Sequence, residues 1–537
     1  MKSKILRLLL ILIAPVLSAV LLVLAFPKYD LGWLAWVGLV PLLTAISGRS
    51  PVYGFFLSYV CGIIFFAWIF DWMFEVARYA LLHQCILALY LGFYFGVFGL
   101  AFGFISRRHG VTAALLAVPF IWVCLEYARS NMGFMAHPSA LLGHSQYTFS
   151  QVIQIASVTG AYGVSFLVGL INSAFTAVVL YSVSKLGNLK SPFLSPITKR
   201  KVIAVVSVAA VGTAITLIYG QITLLRLPGG KAIKVSVVQG NIEQSMKWNA
   251  KYAKVIMEIY ANLTREVSTA ERPSLIIWPE TATPRAINRD VGLYNQVKGI
   301  AQEAGTYLLL GSAQQQKFKD RHSKNEKAKY LNTAFLISPA VRAAKRQEYS
   351  KIRLLPFGEY LPFEETIPWS YLKIPYSGAY VPGEEFTVFE LPEGRFSVTI
   401  CWENLFPDLI REFVKRGAQF IVNLTNEAWF GRTAGPSYFV ISSVFRAVEN
   451  RIYFVRCANT GISCFIDPYG RIIARVKDTN GQELFVRGVL TRNVLTLQSK
   501  TIYTRYGDLL VWLSIFCSGA FLVTALFRKK PNGCPLF

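Results

Sequence analysis

Long unbroken runs of apolar residues constrain this chain more than any other feature. A helix crosses the bilayer core with about 20 consecutive apolar residues. Eight segments approach that length: 7–26, 31–48, 53–74, 80–105, 111–127, 162–184, 202–222 and 507–527. Hydrophobic residues make up 53% of the 537, more than a soluble chain carries, and the excess is confined to these blocks. Between the last two lies a stretch of mixed polarity, 228–505, which at about 280 residues can bury a core of its own. The expected organisation is a seven-helix membrane domain over 1–227, an α/β domain over 228–505, and a final membrane helix with a short tail over 506–537. Val16-Leu17-Ser18-Ala19 resembles a signal-peptidase site, but the apolar run continues to Phe26, so a retained helix is expected.

A net charge of +25 would suggest nucleic acid in a soluble protein. No basic helix, zinc-finger spacing or aromatic-basic motif accompanies it, so no nucleic-acid partner is expected. The charge instead reads as topology. With Lys2, Lys4 and Arg7 in the cytoplasm, the same side holds Arg49, Arg107, Arg108, Lys185, Lys190, Lys199, Arg200, Lys201, Arg528, Lys529 and Lys530. The opposite short loops hold only Lys28, Arg78 and Arg129. Positive residues stay inside, which puts both termini in the cytoplasm and 228–505 outside it. Two membrane features stand apart. Glu126 lies near the end of an apolar span, where a position near the outer interface and water would suffice to accommodate it. The loop 128–161, with His137, Pro138, His144 and Gln146, is either a re-entrant piece or an ordinary connection.

The polar domain alternates strands with helices. Strands are expected at 233–239, 275–278, 307–311, 396–400, 420–424 and 453–457, and helices at 249–270, 291–304, 404–416 and 436–450, an α/β pattern. Three strand ends carry chemistry. Ser274-Leu-Ile-Ile-Trp-Pro-Glu280 ends in a carboxylate. Lys351 is followed by Leu355-Pro-Phe-Gly-Glu-Tyr360, which brings Glu359. Phe396-Ser-Val-Thr-Ile-Cys401-Trp-Glu403 ends in a cysteine ahead of a helix, where the helix dipole would lower the thiol pKa. Such a cysteine alone is more often a buried, inert thiol.

The other metal- and base-forming residues narrow the choice. Of five histidines only His322 lies in the polar domain, within the lysine-rich stretch 317–329, read as a solvated loop. A Cys–His pair or a histidine metal centre is therefore hard to assemble, and no metal or cofactor is expected. Eight cysteines contain no C-x-x-C pair. Cys457 and Cys464 are either a hairpin disulfide or two buried thiols, the second being favoured.

The ordered set Trp278-Pro-Glu280, Lys351 with Pro356-Phe-Gly-Glu359, and Cys401-Trp-Glu403 resembles the Glu–Lys–Cys signature of the carbon–nitrogen hydrolase (nitrilase) superfamily. With eight spans, and with Val238-Gln-Gly-Asn241, Gln244, Trp248, Asn423-Leu-Thr-Asn-Glu-Ala-Trp-Phe-Gly431 and Arg456-x-x-Asn459-Thr-Gly461, the chain is similar throughout to the membrane-bound branch of that superfamily, the apolipoprotein N-acyltransferases of bacteria. Glu427 and Trp402 stand where that family usually has Asp and Tyr, and Trp402 would alter the shape of the acyl pocket.

The resemblance implies an αββα sandwich in the periplasm, tethered to the inner membrane at both ends. It implies acyl transfer through a Cys401 thioester from a phospholipid, phosphatidylethanolamine first, to the α-amine of diacylated apolipoproteins, by a monomer. Glu280 would act as general base and Lys351 as oxyanion partner, while Glu359 would orient Lys351 or help position the substrate, a plain surface salt bridge being its alternative. Trp248, Trp402, Glu403, Trp429 and Phe430 would support the pocket or lid, although core packing is an equal reading for the aromatics. A membrane-bound amidase with the same triad is the alternative, disfavoured by spans that a soluble substrate does not need.

Overall fold

The computed structural model describes residues 2–185, 197–247, 249–319, 326–341, 346–364, 366, 367, 369, 380–498 and 500–528, with side chains from Ile13 onward except at 317–319 and 326–328. The chain forms two compact units. One comprises Met1–Met73, Ala80–Arg226 and Tyr506–Phe537; the other comprises Phe74–Tyr79 and Leu227–Arg505.

Six helices of the first unit are, among the described residues, long and apolar enough to cross a membrane: Pro51–Ile69, Leu81–His109, Val111–Ser130, Ala161–Lys185, Lys199–Leu224 and Leu509–Phe527. A further helix, Lys2–Leu24, precedes them. The segment expected as the second span is broken into a 3-10 turn, Gly32–Leu34, and helices Ala35–Gly38 and Val40–Ile46. Pro41 has no N–H with which to continue the preceding ladder. Even as one continuous helix, Gly32–Ile46 would reach only about 22 Å, short of a roughly 30 Å hydrocarbon core.

Helices Pro51–Ile69 and Leu81–His109 approach backbone to backbone through glycine. A Cβ added to Gly99 would lie 2.1 Å from the Gly54 carbonyl oxygen, and one on Gly62 would lie 2.9 Å from Gly92 Cα. Close approach of this kind replaces the hydrophobic drive that lipid cannot supply.

Much of the segment after Ser130 is packed inside the first unit. Residues Ser139 to Gln146 are buried, and protein groups meet several of their donors: Glu126 Oε1 takes the Leu142 N–H at 2.6 Å, Ser165 Oγ the Gly143 N–H at 2.8 Å, and the Gly32 carbonyl the Gln146 Nε2–H at 2.8 Å. Non-helical backbone is tolerated at membrane depth when its groups are satisfied this way. Glu126 is therefore buried rather than at a wet interface. Its Oε1 takes the Leu142 N–H and the Trp122 indole N–H, the latter at 3.0 Å.

In the second unit twelve strands lie among the described residues. They are β1 (Lys231–Gln239), β2 (Leu275–Ile277), β3 (Tyr307–Lys319), β4 (Glu326–Ile337), β5 (Gln347–Ser350) and β6 (Phe389–Leu391). Then follow β7 (Gly394–Ile400), β8 (Phe420–Thr425), β9 (Tyr453–Ala458), β10 (Cys464–Ile466), β11 (Ile472–Arg475) and β12 (Gly488–Thr496). They make two six-stranded sheets, ordered β12-β1-β2-β3-β4-β5 and β11-β10-β9-β8-β7-β6.

Each sheet has three parallel strands at its centre, β1–β2–β3 and β7–β8–β9, with antiparallel strands outside them. Parallel neighbours require crossover connections, and four helices supply them: Ala253–Glu271, Val291–Ala304, Pro407–Lys415 and Gly435–Asn450. The first two cover their sheet with an apolar face that includes Met257, Tyr260, Val297 and Ile300, packed with Trp278. The sheets meet face to face. The Cys457 thiol on β9 lies 3.2 Å from the Ile277 carbonyl and 3.5 Å from that of Val238. This is the αββα sandwich.

Cys457 and Cys464 are buried free thiols, not a disulfide. Much of the lysine-rich stretch expected as a loop belongs to the β3–β4 hairpin, which pairs in register out to Lys319 and Glu326. His322 lies outside the described residues.

Overpacking the glycine seam should be costly. Gly99→Val is expected to destabilise the detergent-solubilised protein by about 1–3 kcal/mol. Gly212→Ala, whose methyl would meet Leu170 at an ordinary 3.4 Å, should change little. Melting followed by gel filtration reads both, and equal melting temperatures would show that these helices are not in backbone contact.

Candidate active site

Parallel strands deliver their C-terminal ends to one edge of a sheet, where α/β folds place reacting groups. β2 is three fully buried residues, and the chain leaves it through Trp278, whose indole N–H donates to Thr264 Oγ1 at 3.0 Å and whose ring stacks on Tyr260. Two residues on, Glu280 is 7% exposed. β3 passes so close that a Cβ on Gly311 would stand 2.7 Å from Glu280 Cα, so only glycine fits there. Glu280 Oε1 accepts from Asn332 Nδ2 at 2.7 Å and Oε2 accepts from the Asn426 N–H at 2.8 Å. The carboxylate is thus held from both sheets, by β4 and by the residue after β8.

Asn332 also fixes the lysine. Its carbonyl accepts the Lys351 N–H at 2.8 Å, just beyond β5. The Lys351 side chain is 1% exposed and its ammonium pairs with Glu359 at 2.8 Å. Glu359 Oε2 in turn accepts the Leu355 N–H at 2.6 Å, which closes the loop between them.

Cys401 follows β7 with φ +55°, a left-handed conformation uncommon for a side-chain-bearing residue. Asn423 on β8 donates to its carbonyl at 3.0 Å. Glu403, fully buried, accepts from Tyr349 OH (2.8 Å), Ile352 N–H (2.8 Å), Arg353 N–H (2.9 Å) and Ile400 N–H (2.8 Å). It binds the cysteine turn to the lysine loop. Both of its oxygens are engaged by protein donors.

The electrostatics differ from the helix-dipole expectation. Burial pushes the Cys401 thiol above its ordinary pKa, and Glu280, Glu359 and Glu427 add to this against the opposing pull of Lys351. Cys401 opens a five-residue 3-10 turn, Cys401–Leu405, and the long helix starts only at Pro407, so the dipole is weak where the sulfur sits. Glu280 is also held above the carboxylate range, by burial first and by Glu359, although Lys351, the Asn332 hydrogen bond and Lys247 pull it back. Burial would lower Lys351, but Glu359, Cys401 and Glu280 outweigh it and keep the ammonium protonated. The resting site is a protonated thiol beside a basic carboxylate and a fixed ammonium.

The supporting residues divide. The Trp402 indole N–H donates to the Arg353 carbonyl at 2.6 Å and its ring meets Phe406 edge-on at 4.8 Å. Trp429 is 38% exposed, and Phe430 stacks on Phe439 at 5.5 Å. Trp248 lies outside the described residues.

Behind the cysteine, Arg456 donates to Asn423 Oδ1 at 2.9 Å and pairs with Glu427, both wholly buried. A Cβ on Gly461 would stand 1.8 Å from Glu427 Oε2, so the glycine makes room for a Glu in place of an Asp. Sequence reading did not single out Asn332, whose strand carries no motif, or Lys247, because nothing in a lone lysine announces burial. Asn423, Asn426 and Arg456 belong to the strings Asn423–Gly431 and Arg456–Gly461, whose pattern alone does not reveal their hydrogen-bond partners. Among the described residues no group of three His, Cys, Asp or Glu could hold a metal ion.

Known proteins resemble this chain in sequence over nearly its whole length. Residues 18–174 match the family model of the apolipoprotein N-acyltransferase N-terminal domain, and residues 234–491 match that of carbon–nitrogen hydrolases. The chain is 35% identical to the apolipoprotein N-acyltransferase of Geobacter metallireducens, covering 96% of this chain and 95% of that one. It is 31% identical to that of Chlorobaculum tepidum, covering 96% of each. Among solved structures, a Cys-to-Ala mutant of the Nesterenkonia AN1 amidase of the nitrilase superfamily aligns over 50% of this chain and 93% of its own, at 18% identity and TM-score 0.36. Full-length similarity at this level, spanning both the membrane helices and the hydrolase-like sandwich, shows that the chain belongs to the apolipoprotein N-acyltransferase family.

Proposed function

We propose that Cys401, Glu280 and Lys351 carry out acyl transfer from a membrane phospholipid, phosphatidylethanolamine first, to the N-terminal amine of diacylglyceryl-cysteine lipoproteins. The observation that carries this reading is the convergence of a thiol, a carboxylate above its usual pKa and a buried ammonium at the ends of β7, β2 and β5. Glu280 takes the Sγ proton as sulfur attacks the ester carbonyl, and Lys351 stabilises the resulting oxyanion. Collapse of the tetrahedral intermediate breaks the ester C–O bond, and the leaving alkoxide receives the proton from Glu280 as lysophospholipid departs. The acceptor amine then attacks the thioester, its N–H proton passing to Glu280, and the thiolate leaves and is reprotonated. Exchange of a thioester for an amide is downhill.

Several features support the setting. The lysine and arginine bias supports a sandwich on the periplasmic side with both termini in the cytoplasm. Exposed Leu355, Phe363 and Trp429 give the loops around the site an apolar surface suited to lipid. Both substrates are lipids, which suits a catalytic domain tethered to the membrane at each end. We take the working unit to be a monomer.

Transfer of a labelled acyl chain from phosphatidylethanolamine to a diacylglyceryl-cysteine peptide tests the roles. Glu280→Gln should slow it about 100- to 10,000-fold and Lys351→Met about 100- to 1,000-fold, each in protein that melts normally. Wild-type rates in either variant would remove that residue from the chemistry.

The pH dependence has a definite sign. The base must be ionised, and its pKa is raised, so the rate of acyl-enzyme formation should fall on acidification at a pH above the ordinary carboxylate value. Glu359→Gln removes a neighbouring negative charge and should move that acid limb to lower pH, while its plateau falls because Lys351 loses its partner. A limb that stays put, or moves up, would contradict the assignment of Glu280 as the titrating base.

A further inference from the structure

Lys247 is a buried lysine that the reaction as described does not use. It ends the short helix Gln244–Lys247 and is 3% exposed. Its ammonium donates to the Glu280 carbonyl at 3.0 Å and to Thr281 Oγ1 at 2.8 Å. Those two acceptors bracket the turn that carries the candidate base. Thr281 has φ +45°, an outlier for a β-branched residue that persists only where surrounding contacts over-determine it. Lys247 supplies one such contact, and the Ala282 N–H bonded to the Gly311 carbonyl at 2.8 Å supplies another.

Burying an ammonium is expensive unless charge balances it. An apolar side chain would leave both acceptors unmet, but a neutral donor would meet them without burying a charge, so holding a turn does not by itself explain a lysine. The balance of the site does. The groups acting electrostatically on Glu280 are Lys351, Glu359 and Lys247, with Cys401, Tyr380 and Glu427 sensing it in return. Glu427 is neutralised by its own partner Arg456. That leaves two carboxylates, Glu280 and Glu359, beside one ammonium from the signature, Lys351. Lys247 is the second cation that brings the resting site to neutrality.

We infer that Lys247 is a positioning residue for Glu280, clamping the Glu280–Thr281 turn and supplying the cation that supports the ionised carboxylate before it takes the thiol proton. This rests on the proposed role of Glu280. Its second consequence concerns charge: without Lys247 the site carries a net negative charge before any oxyanion forms, which opposes formation of thiolate and oxyanion alike. Burial draws the Lys247 pKa down to about 8 and Glu280 pulls it back up, so the residue remains cationic at neutral pH and below, where Glu280 is titrated.

The test reads ionisation without any lipid. Full-length detergent-purified protein is treated with iodoacetamide over a pH series, and carbamidomethylation of the Cys401 peptide is followed by mass. In Lys247→Met the acid limb of this reactivity should move to higher pH by about one unit, leaving the rate on that limb about tenfold below wild type. Lys247→Arg, which keeps the charge, should restore the limb to within a few tenths of a unit. Thr281→Val removes an acceptor but no charge, and should lower the rate with the limb unmoved; it also keeps the question decidable if the Met variant does not fold.

A Met variant whose limb overlays wild type, an Arg variant displaced as far as Met, or a Thr281→Val variant with a shifted limb would each overturn the inference. If the wild-type thiol is alkylated with a carboxylate-dependent limb but never accepts an acyl chain from phospholipid, the acyl-transfer reading fails, and the role of Lys247 toward Glu280 is still decided by these curves.

Discussion

The ion pair between Lys351 and Glu359 sets the terms for the rest of the catalytic unit. An ammonium that is 1% exposed survives in a protein interior only when it is paired and its partner is hydrogen-bonded. Glu359 meets the first condition and the Leu355 N–H the second. The pair brings a second carboxylate into a buried space that already holds Glu280 and a thiol, and every neighbouring element answers that excess. Asn332 and Asn426 donate to Glu280 from opposite sheets, and Lys247 reaches the same turn from the first crossover. Glu403 collects four donors so that the cysteine turn and the lysine loop keep a fixed distance. The two sheets are thereby joined by polar contacts exactly where their apolar faces give out at the strand ends.

The same arrangement explains why the thiol need not be ionised at rest. A thiolate here would face three carboxylates across a buried space, and burial alone already disfavours it. Chemistry that forms the thiolate only as it attacks keeps the nucleophile protected from oxidation and from stray electrophiles. In that scheme the lysine acts on the oxyanion more than on the sulfur, and the base must sit high enough to accept a proton yet low enough to be ionised. Glu280 is drawn in both directions by named neighbours, as the proposed role of general base asks.

Legibility in the sequence followed burial and locality. Central strands β1, β2, β7, β8 and β9 were readable because a strand covered on both faces is a short run of Val, Ile and Leu bounded by polar residues. Strands β4 and β12 were not, since Glu326–Ile337 and Gly488–Thr496 carry lysines, asparagine and arginine on an outer flank and mimic loops. The broken second span was hidden because hydropathy ignores Pro41. Glu280 and Cys401 could be found because each follows an apolar run within a short motif, and Lys351 because Pro356-Phe-Gly-Glu359 comes just after it. Asn332 bonds a carboxylate 52 residues away, and no local pattern encodes such a pairing. Lys247 looked like any surface lysine beside a tryptophan. The helix-dipole argument weighed a helix that starts six residues after Cys401 and left out the burial and the nearby carboxylates that push the thiol the other way.

The central claim is that Cys401 accepts an acyl chain directly from a phospholipid, before any lipoprotein is present. The most direct measurement is the mass of the Cys401 peptide after folded protein has been incubated with phosphatidylethanolamine alone. A single fatty-acyl increment, labile to neutral hydroxylamine and missing in Cys401→Ala, is the predicted result. An unmodified peptide with every common phospholipid, in protein that melts normally, would contradict it.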